Sequence, residues 1–114
     1  FPSVDTGTCA TSTRKFNTEA SKLENTQVVC VSRDLPFAFK RFCGAEGIDN
    51  IITASDFVSG QFGKDYNLEM KSGALANLHS RVVIVLDESS KIIYTEQVSE
   101  IADEPNYEAA LAVL

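Results

Sequence analysis

An α/β fold is what this sequence predicts, on three observations. Short apolar runs at Gln27–Ser32 and Ile51–Thr53 alternate with segments of helical spacing. Two Val/Ile-rich runs, Arg81–Leu86 and Lys91–Val98, are separated by the turn-forming Asp87-Glu88-Ser89-Ser90. An amphipathic stretch from about Pro105 closes the chain. The 114 residues suffice for one small domain with a single core.

The first helix is predicted over Thr11–Leu23, where Phe16, Ala20 and Leu23 share a face and Glu24-Asn25 ends the pattern. Gln27–Ser32 is short, β-branched and almost continuously apolar, as a buried parallel strand is. Asp34 is placed to cap a helix starting near Pro36, since proline is tolerated in a first turn. Phe37, Phe42 and Cys43 follow, with Gly44 as the expected stop and Gly44–Gly47 as a mobile stretch with little to pack. Ile51–Thr53 is a second short strand, and Ser55-Asp56-Phe57 opens a short helix toward Tyr66. Residues 67–78 carry no clear pattern. The two Val/Ile runs make an antiparallel hairpin, and the last helix sets Tyr107, Leu111 and Leu114 on one face. A βα crossover feeding a hairpin with a helix behind it is the thioredoxin-like arrangement, a central mixed sheet flanked by helices.

Composition narrows the function. Hydrophobic residues at 44% and charged residues at 23% describe an ordinary globular chain. A net charge of −6 without a basic cluster argues against nucleic acid. No apolar run approaches the roughly 20 residues that span a bilayer. Phe1–Asp5 has neither the basic nor the apolar part of a signal peptide, so the cytoplasm is the expected compartment. Cys9, Cys30 and Cys43 form an odd set without metal-type spacing, and one histidine, His79, cannot complete a metal site with them. No cofactor is called for.

Cys9 sits in Thr6-Gly7-Thr8-Cys9, immediately before the first amphipathic helix. A thiolate is the nucleophilic form, and free N–H groups at a helix N-terminus stabilise its charge. The hydroxyl of Thr6 can donate to the sulfur, and Pro2 can shield the site from bulk water. A buried, inert thiol is the alternative for any of the three cysteines, and it is the better one for Cys30, in mid-strand among valines. Phe37, Phe42 and Phe57 read most simply as core. Arg14 reads as a supporting or solvated residue, and His79 as an exposed or hydrogen-bonded one that shares strand parity with Arg81.

The stretch from Phe1 to Asn17, FPSVDTGTCATSTRKFN, resembles the active-site signature of bacterial thiol peroxidases, atypical two-cysteine peroxiredoxins. It holds the general pattern Pro-x-x-x-Thr-x-x-Cys at Pro2, Thr6 and Cys9. Ser32–Ala38 (SRDLPFA) through Arg41–Gly47 (RFCGAEG) resembles the resolving-cysteine region, and Glu104–Leu111 (EPNYEAAL) also matches. The resemblance implies a peroxidatic Cys9 that attacks hydrogen peroxide or an alkyl hydroperoxide and becomes a sulfenic acid. It implies that Thr6 bonds the thiolate and substrate, and that Arg81 holds the thiolate charged and orients the peroxide. It implies that Cys43 closes a Cys9–Cys43 disulfide, that thioredoxin reopens it, and that the chain is a homodimer. The two Cα atoms must then approach to about 4.4–6.8 Å, so both segments are expected to unwind once per cycle.

Relative to that family, the single thioredoxin-like domain 1–114 is N-terminally truncated. The resemblance implies that a hairpin and the strand leading into the active-site loop would precede these residues. The apolar edge beside Val28–Val31 is expected to lie bare. Either the chain is a fragment or the strand comes from elsewhere. Two further readings stand beside the enzyme: a peroxide-sensing redox relay, and an inactive fragment that needs its N-terminal segment.

Overall fold

Thr6 takes an extended backbone (φ −97°, ψ 146°) and becomes the N-cap of helix α1, Gly7–Ala20. The structure, a computed structural model, describes residues 1–114. Helix α1 thus starts four residues earlier than expected and places Cys9 inside its first turn. It also ends earlier, at the Ser21 cap, and Asn25 turns the chain at φ 55°. Its buried face is made of Cys9, Ala10, Ser12 and Thr13 rather than a run of large apolar side chains. Thr13 tolerates burial because its Oγ1 donates to the Cys9 carbonyl at 2.8 Å.

Strand β1, Val29–Ser32, pairs in parallel with β2, Ile52–Ser55, with Cys30 opposite Thr53 and Ser32 opposite Ser55. Between them runs α2, Pro36–Glu46, the crossover helix. Gly44 does not stop it. Gly47 does, at φ 64°, where its N–H and that of Ile48 both return to the Cys43 carbonyl. The stretch expected to be mobile is therefore largely helix, and its last residue, Glu46, receives two 2.8 Å bonds from Arg14 of α1. Asp34 does not cap α2 either, because its carboxylate is engaged elsewhere; Leu35 stands at the N-cap without a side-chain bond.

A turn precedes the short helix α3, Gln61–Asp65, whose N-cap is Gly60 at φ 66°. The helix starts late because Asp56 accepts hydrogen bonds from the Phe62 and Gly63 amides at 3.1 and 2.9 Å. The hairpin forms from β3, Val82–Leu86, and β4, Ile92–Gln97, with an irregularity between Val85 and Leu86. Asp87 Oδ1 closes its turn by accepting from Ser89 and Lys91 amides. Helix α4, Tyr107–Ala112, is capped by Asn106, whose side chain accepts from the Ala109 amide at 3.0 Å. Ala110 is its buried residue and Leu114 is exposed, which departs from the face expected for this helix.

The four strands form two separate two-stranded sheets, β1-β2 and β3-β4, rather than one continuous mixed sheet. The second edge of β1 is met by the Phe1 nitrogen, which donates to the Val31 carbonyl at 3.2 Å, and Val29 is half exposed. Side chains link the two sheets instead: His79 Nε2 lies 2.8 Å from Asp56 Oδ2, and Arg33 Nη1 donates to the Asn77 carbonyl at 3.3 Å. The core, Val4, Ala10, Phe39, Phe42 and Ile48, packs the active-site loop against α1 and α2, with Phe1, Cys43 and Ile51 at its margin. Phe37 and Phe57 lie outside it, 79% and 50% exposed, contrary to the core reading of these two residues.

His79 and Asp56 give the fold a pH dependence. Burial lowers the His79 imidazole below its ordinary value of 6.5, and the hydrogen bond to Asp56 only partly opposes this. The folded state therefore binds fewer protons here than the unfolded chain. The stabilising contribution is complete above pH 6.5 and is lost as pH falls from there toward the lower folded value. Melting temperature is expected to drop between pH 7 and pH 5. His79→Gln, which donates to Asp56 without titrating, is expected to flatten that drop while costing roughly 1–3 kcal/mol overall. An unchanged pH profile in His79→Gln counts against this assignment.

Candidate active site

Cys9 is the third residue of α1 and is fully buried. The helix ladder begins with the Ala10 amide bonding the Thr6 carbonyl at 3.0 Å. The Gly7, Thr8 and Cys9 amides precede it and stay free of backbone partners, a cluster of positive partial charge at the helix end that carries Cys9.

Arg81 comes from the residue just before β3 and lies buried beside Cys9. Its Nη1 donates to Cys9 Sγ at 3.3 Å. The rest of the guanidinium is spent on one backbone carbonyl: Nε and Nη2 both donate to Ile101, at 3.2 and 2.9 Å. Three donors are thus fixed without a carboxylate, and the positive charge remains available to the sulfur. The loop that provides Ile101 is itself held to α1. Thr8 Oγ1 donates to the Ala102 carbonyl at 3.0 Å, and the Tyr107 hydroxyl lies 3.0 Å from Ser12 Oγ while donating to Glu104 at 2.8 Å. No residue-type signal marks Ile101, because a backbone carbonyl does the work.

Thr6 stands where expected in the chain, but its hydroxyl donates to the Ser3 carbonyl at 3.0 Å rather than to the sulfur. The Thr6 amide uses the same carbonyl at 3.1 Å, so the loop Ser3–Thr6 is a closed turn. Pro2 is buried at the root of this loop.

Cys43 lies on α2, half-buried one turn before the C-terminus, not at a helix end. Burial pushes its thiol above the ordinary value of 9.0. Cys30 is buried in β1 and pushed up to about 12, chiefly by burial. All three cysteines are free thiols. Two ion pairs flank Cys43 and tie α2 to the Cys9 side of the molecule: Arg41 Nη2 to Asp5 at 2.8 Å, and Arg14 to Glu46. Arg14 is exposed and engages Glu46, so it supports the helix pair instead of reaching Arg81. His79 is buried against Asp56 and does not line a pocket mouth.

The arrangement therefore brings Arg81 to Cys9, sets Thr6 at the cap of the helix that carries Cys9, buries Pro2 in the preceding loop, and leaves Cys43 on α2 as a separate thiol. A thiolate between free amides and a guanidinium can attack an electrophilic oxygen while those donors receive the charge that leaves.

The chain is similar in sequence and fold to known proteins. The redoxin family profile matches residues 1–111. The thiol peroxidase of Corynebacterium glutamicum is 56% identical over 114 residues, covering 100% of this chain and 68% of that protein. A peroxiredoxin-like protein from Aquifex aeolicus superposes with a TM-score of 0.92 at 42% identity, over 98% of this chain and 66% of its own. A thiol peroxidase from Chromobacterium violaceum gives a TM-score of 0.87 over 96% of this chain and 64% of its own; at 19% identity that likeness concerns the fold. The chain spans about two thirds of the length of these relatives.

Proposed function

The chain belongs to the redoxin family, among the thiol peroxidases, and on that premise we propose that it reduces hydrogen peroxide and alkyl hydroperoxides with Cys9 as the peroxidatic residue. The observation that carries this reading is the 3.3 Å contact of Arg81 Nη1 with the Cys9 sulfur at the head of α1.

The Cys9 thiolate attacks the terminal oxygen of ROOH. The S–O bond forms as the O–O bond breaks, and the alkoxide leaves as ROH after taking a proton. Arg81 and the first-turn amides stabilise the charge as it moves from sulfur to the leaving oxygen. Cys9 becomes a sulfenic acid. The Cys43 thiolate then attacks that sulfur, expels hydroxide as water, and closes an intramolecular disulfide. A dithiol reductant, thioredoxin in this reading, exchanges with the disulfide and restores both thiols. A cycle that must return its cysteines to thiols suits a reducing compartment such as the cytoplasm, and no helix is long and apolar enough to cross a membrane.

Cys9 is buried and Cys43 is one turn inside α2. Disulfide closure requires the first turn of α1 and the end of α2 to open. The Asp5–Arg41 and Arg14–Glu46 pairs are the contacts that opening must break. A homodimer packed near the active-site loops is part of this reading, as the family resemblance implies.

Steady-state peroxide consumption coupled to thioredoxin oxidation tests the function. Sustained turnover is expected; a single stoichiometric oxidation that then stops indicates a relay. Arg81→Leu is expected to lower the rate of Cys9 oxidation by roughly 10²–10³-fold, the scale for removing one preorganised donor from a developing oxyanion. A rate within a few-fold of wild type in Arg81→Leu speaks against the assigned role.

A further inference from the structure

Asp34 follows β1 and precedes α2, and its half-buried carboxylate faces the active-site loop instead of its own helix. Oδ1 accepts from Ser3 Oγ at 2.6 Å. Oδ2 accepts from the Val4 amide at 2.9 Å and from Ser32 Oγ. All three donors are neutral, and Asp34 makes no ion pair. A fourth bond holds its main chain, from Ser55 Oγ to the Asp34 carbonyl.

The hydrogen bonds continue into the first turn of α1, which carries Cys9. Ser3, held at its hydroxyl, presents its carbonyl to both the amide and the hydroxyl of Thr6. Thr6 presents its own carbonyl to Ala10 and so sets the first turn of α1, in which Cys9 is the third residue. Val4, held at its amide, is buried in the core beside Ala10 and Phe42. We propose that Asp34 is a positioning residue for the peroxidatic cysteine, fixing the Ser3–Thr6 turn that aims Cys9 and joining it to the root of the helix that carries Cys43. This rests on the reading of Cys9 as the peroxidatic residue.

Asp34 touches neither the sulfur nor the substrate, so its effect lies in alignment. Attack on a peroxide needs the sulfur, the O–O axis and the Arg81 donor in line, and a displacement of about 1 Å can cost on the order of a hundredfold. Alkylation by iodoacetamide uses the same thiolate but not the peroxide-aligned donors. The two reactions therefore separate misalignment from general loss of the site.

The test measures, on the full chain, the second-order rates of Cys9 oxidation by tert-butyl hydroperoxide and of Cys9 alkylation by iodoacetamide. Asp34→Ala is expected to lose about a hundredfold in oxidation while alkylation changes less than about threefold. Asp34→Asn is expected to restore most of the oxidation rate, because its oxygen can accept from the Val4 amide and its NH₂ can donate to Ser3 Oγ. If Asp34→Ala does not fold, Ser3→Ala, which removes the 2.6 Å bond to Asp34 together with the 3.1 Å bond from the Asp5 amide, carries the same split with a loss of about tenfold in oxidation. Wild-type oxidation in these variants, or equal losses in both reactions, overturns the proposal. A wild-type chain no faster with the hydroperoxide than a free cysteine overturns the Cys9 reading itself, whatever the Asp34 variants do.

Discussion

Cys9→Ser is expected to bring peroxide consumption down to the uncatalysed rate, a loss of about 10⁴-fold or more, with the fold retained. The substitution exchanges one buried atom for a smaller one in contact with Arg81, which can donate to a hydroxyl as it does to sulfur. The first-turn amides and the Arg81–Ile101 brace stay in place. What disappears is the nucleophile, because a serine hydroxyl is not ionised at neutral pH and no histidine or carboxylate stands beside it as a base. Near-normal melting with no activity separates this outcome from unfolding. Residual turnover above a few per cent would assign the chemistry to Cys30 or Cys43.

Cys43→Ser is expected to act on the second half of the cycle only. The first equivalent of peroxide is consumed at the wild-type rate, and thioredoxin-linked turnover then stops. With excess peroxide, Cys9 proceeds from sulfenic to sulfinic acid, visible as a 32 Da gain over the reduced mass, about two oxygen atoms on the sulfur ladder. Burial holds the Cys43 thiol above its ordinary value, so its thiolate is the minor form at neutral pH. In wild type the rate of disulfide closure is therefore expected to rise with pH, about tenfold per unit until the thiol ionises. Cys30→Ser leaves the cycle intact, since Cys30 is buried and pushed up to about 12. A normal cycle in Cys43→Ser beside a broken one in Cys30→Ser would falsify the assignment.

Much of this site was legible because its parts are local in sequence. Pro2, Thr6 and Cys9 lie within eight consecutive residues, in one loop and the first turn of the helix that follows it, and the hairpin announces itself through its Val/Ile runs and the Asp87–Ser90 turn. What escaped depends on partners far along the chain. Asp34 looks like a helix cap from its position before Pro36, yet Ser3 and Val4, 31 and 30 residues away, take its carboxylate. Gly44 looks like a helix stop, yet α2 runs through it, with Glu46 held by Arg14 across 32 residues. His79 gives no hint of its burial, which depends on Asp56 and on the close approach of Gly63. Phe37 and Phe57 read as core because aromatic residues commonly are; both lie at the exposed end of the parallel pair. The division into two sheets follows from how each strand is paired, which no single segment reveals.

The central claim is that Cys9 and Cys43 form one redox pair. The direct measurement is to treat the reduced chain with one equivalent of alkyl hydroperoxide, block free thiols, and map the tryptic peptides. Cleavage after Arg14, Lys22, Arg33, Arg41 and Lys64 puts Cys9, Cys30 and Cys43 on separate peptides. A disulfide joining the Cys9 and Cys43 peptides, with Cys30 blocked as a thiol, is the expected result. Three blocked thiols, or a linkage through Cys30, would contradict the account.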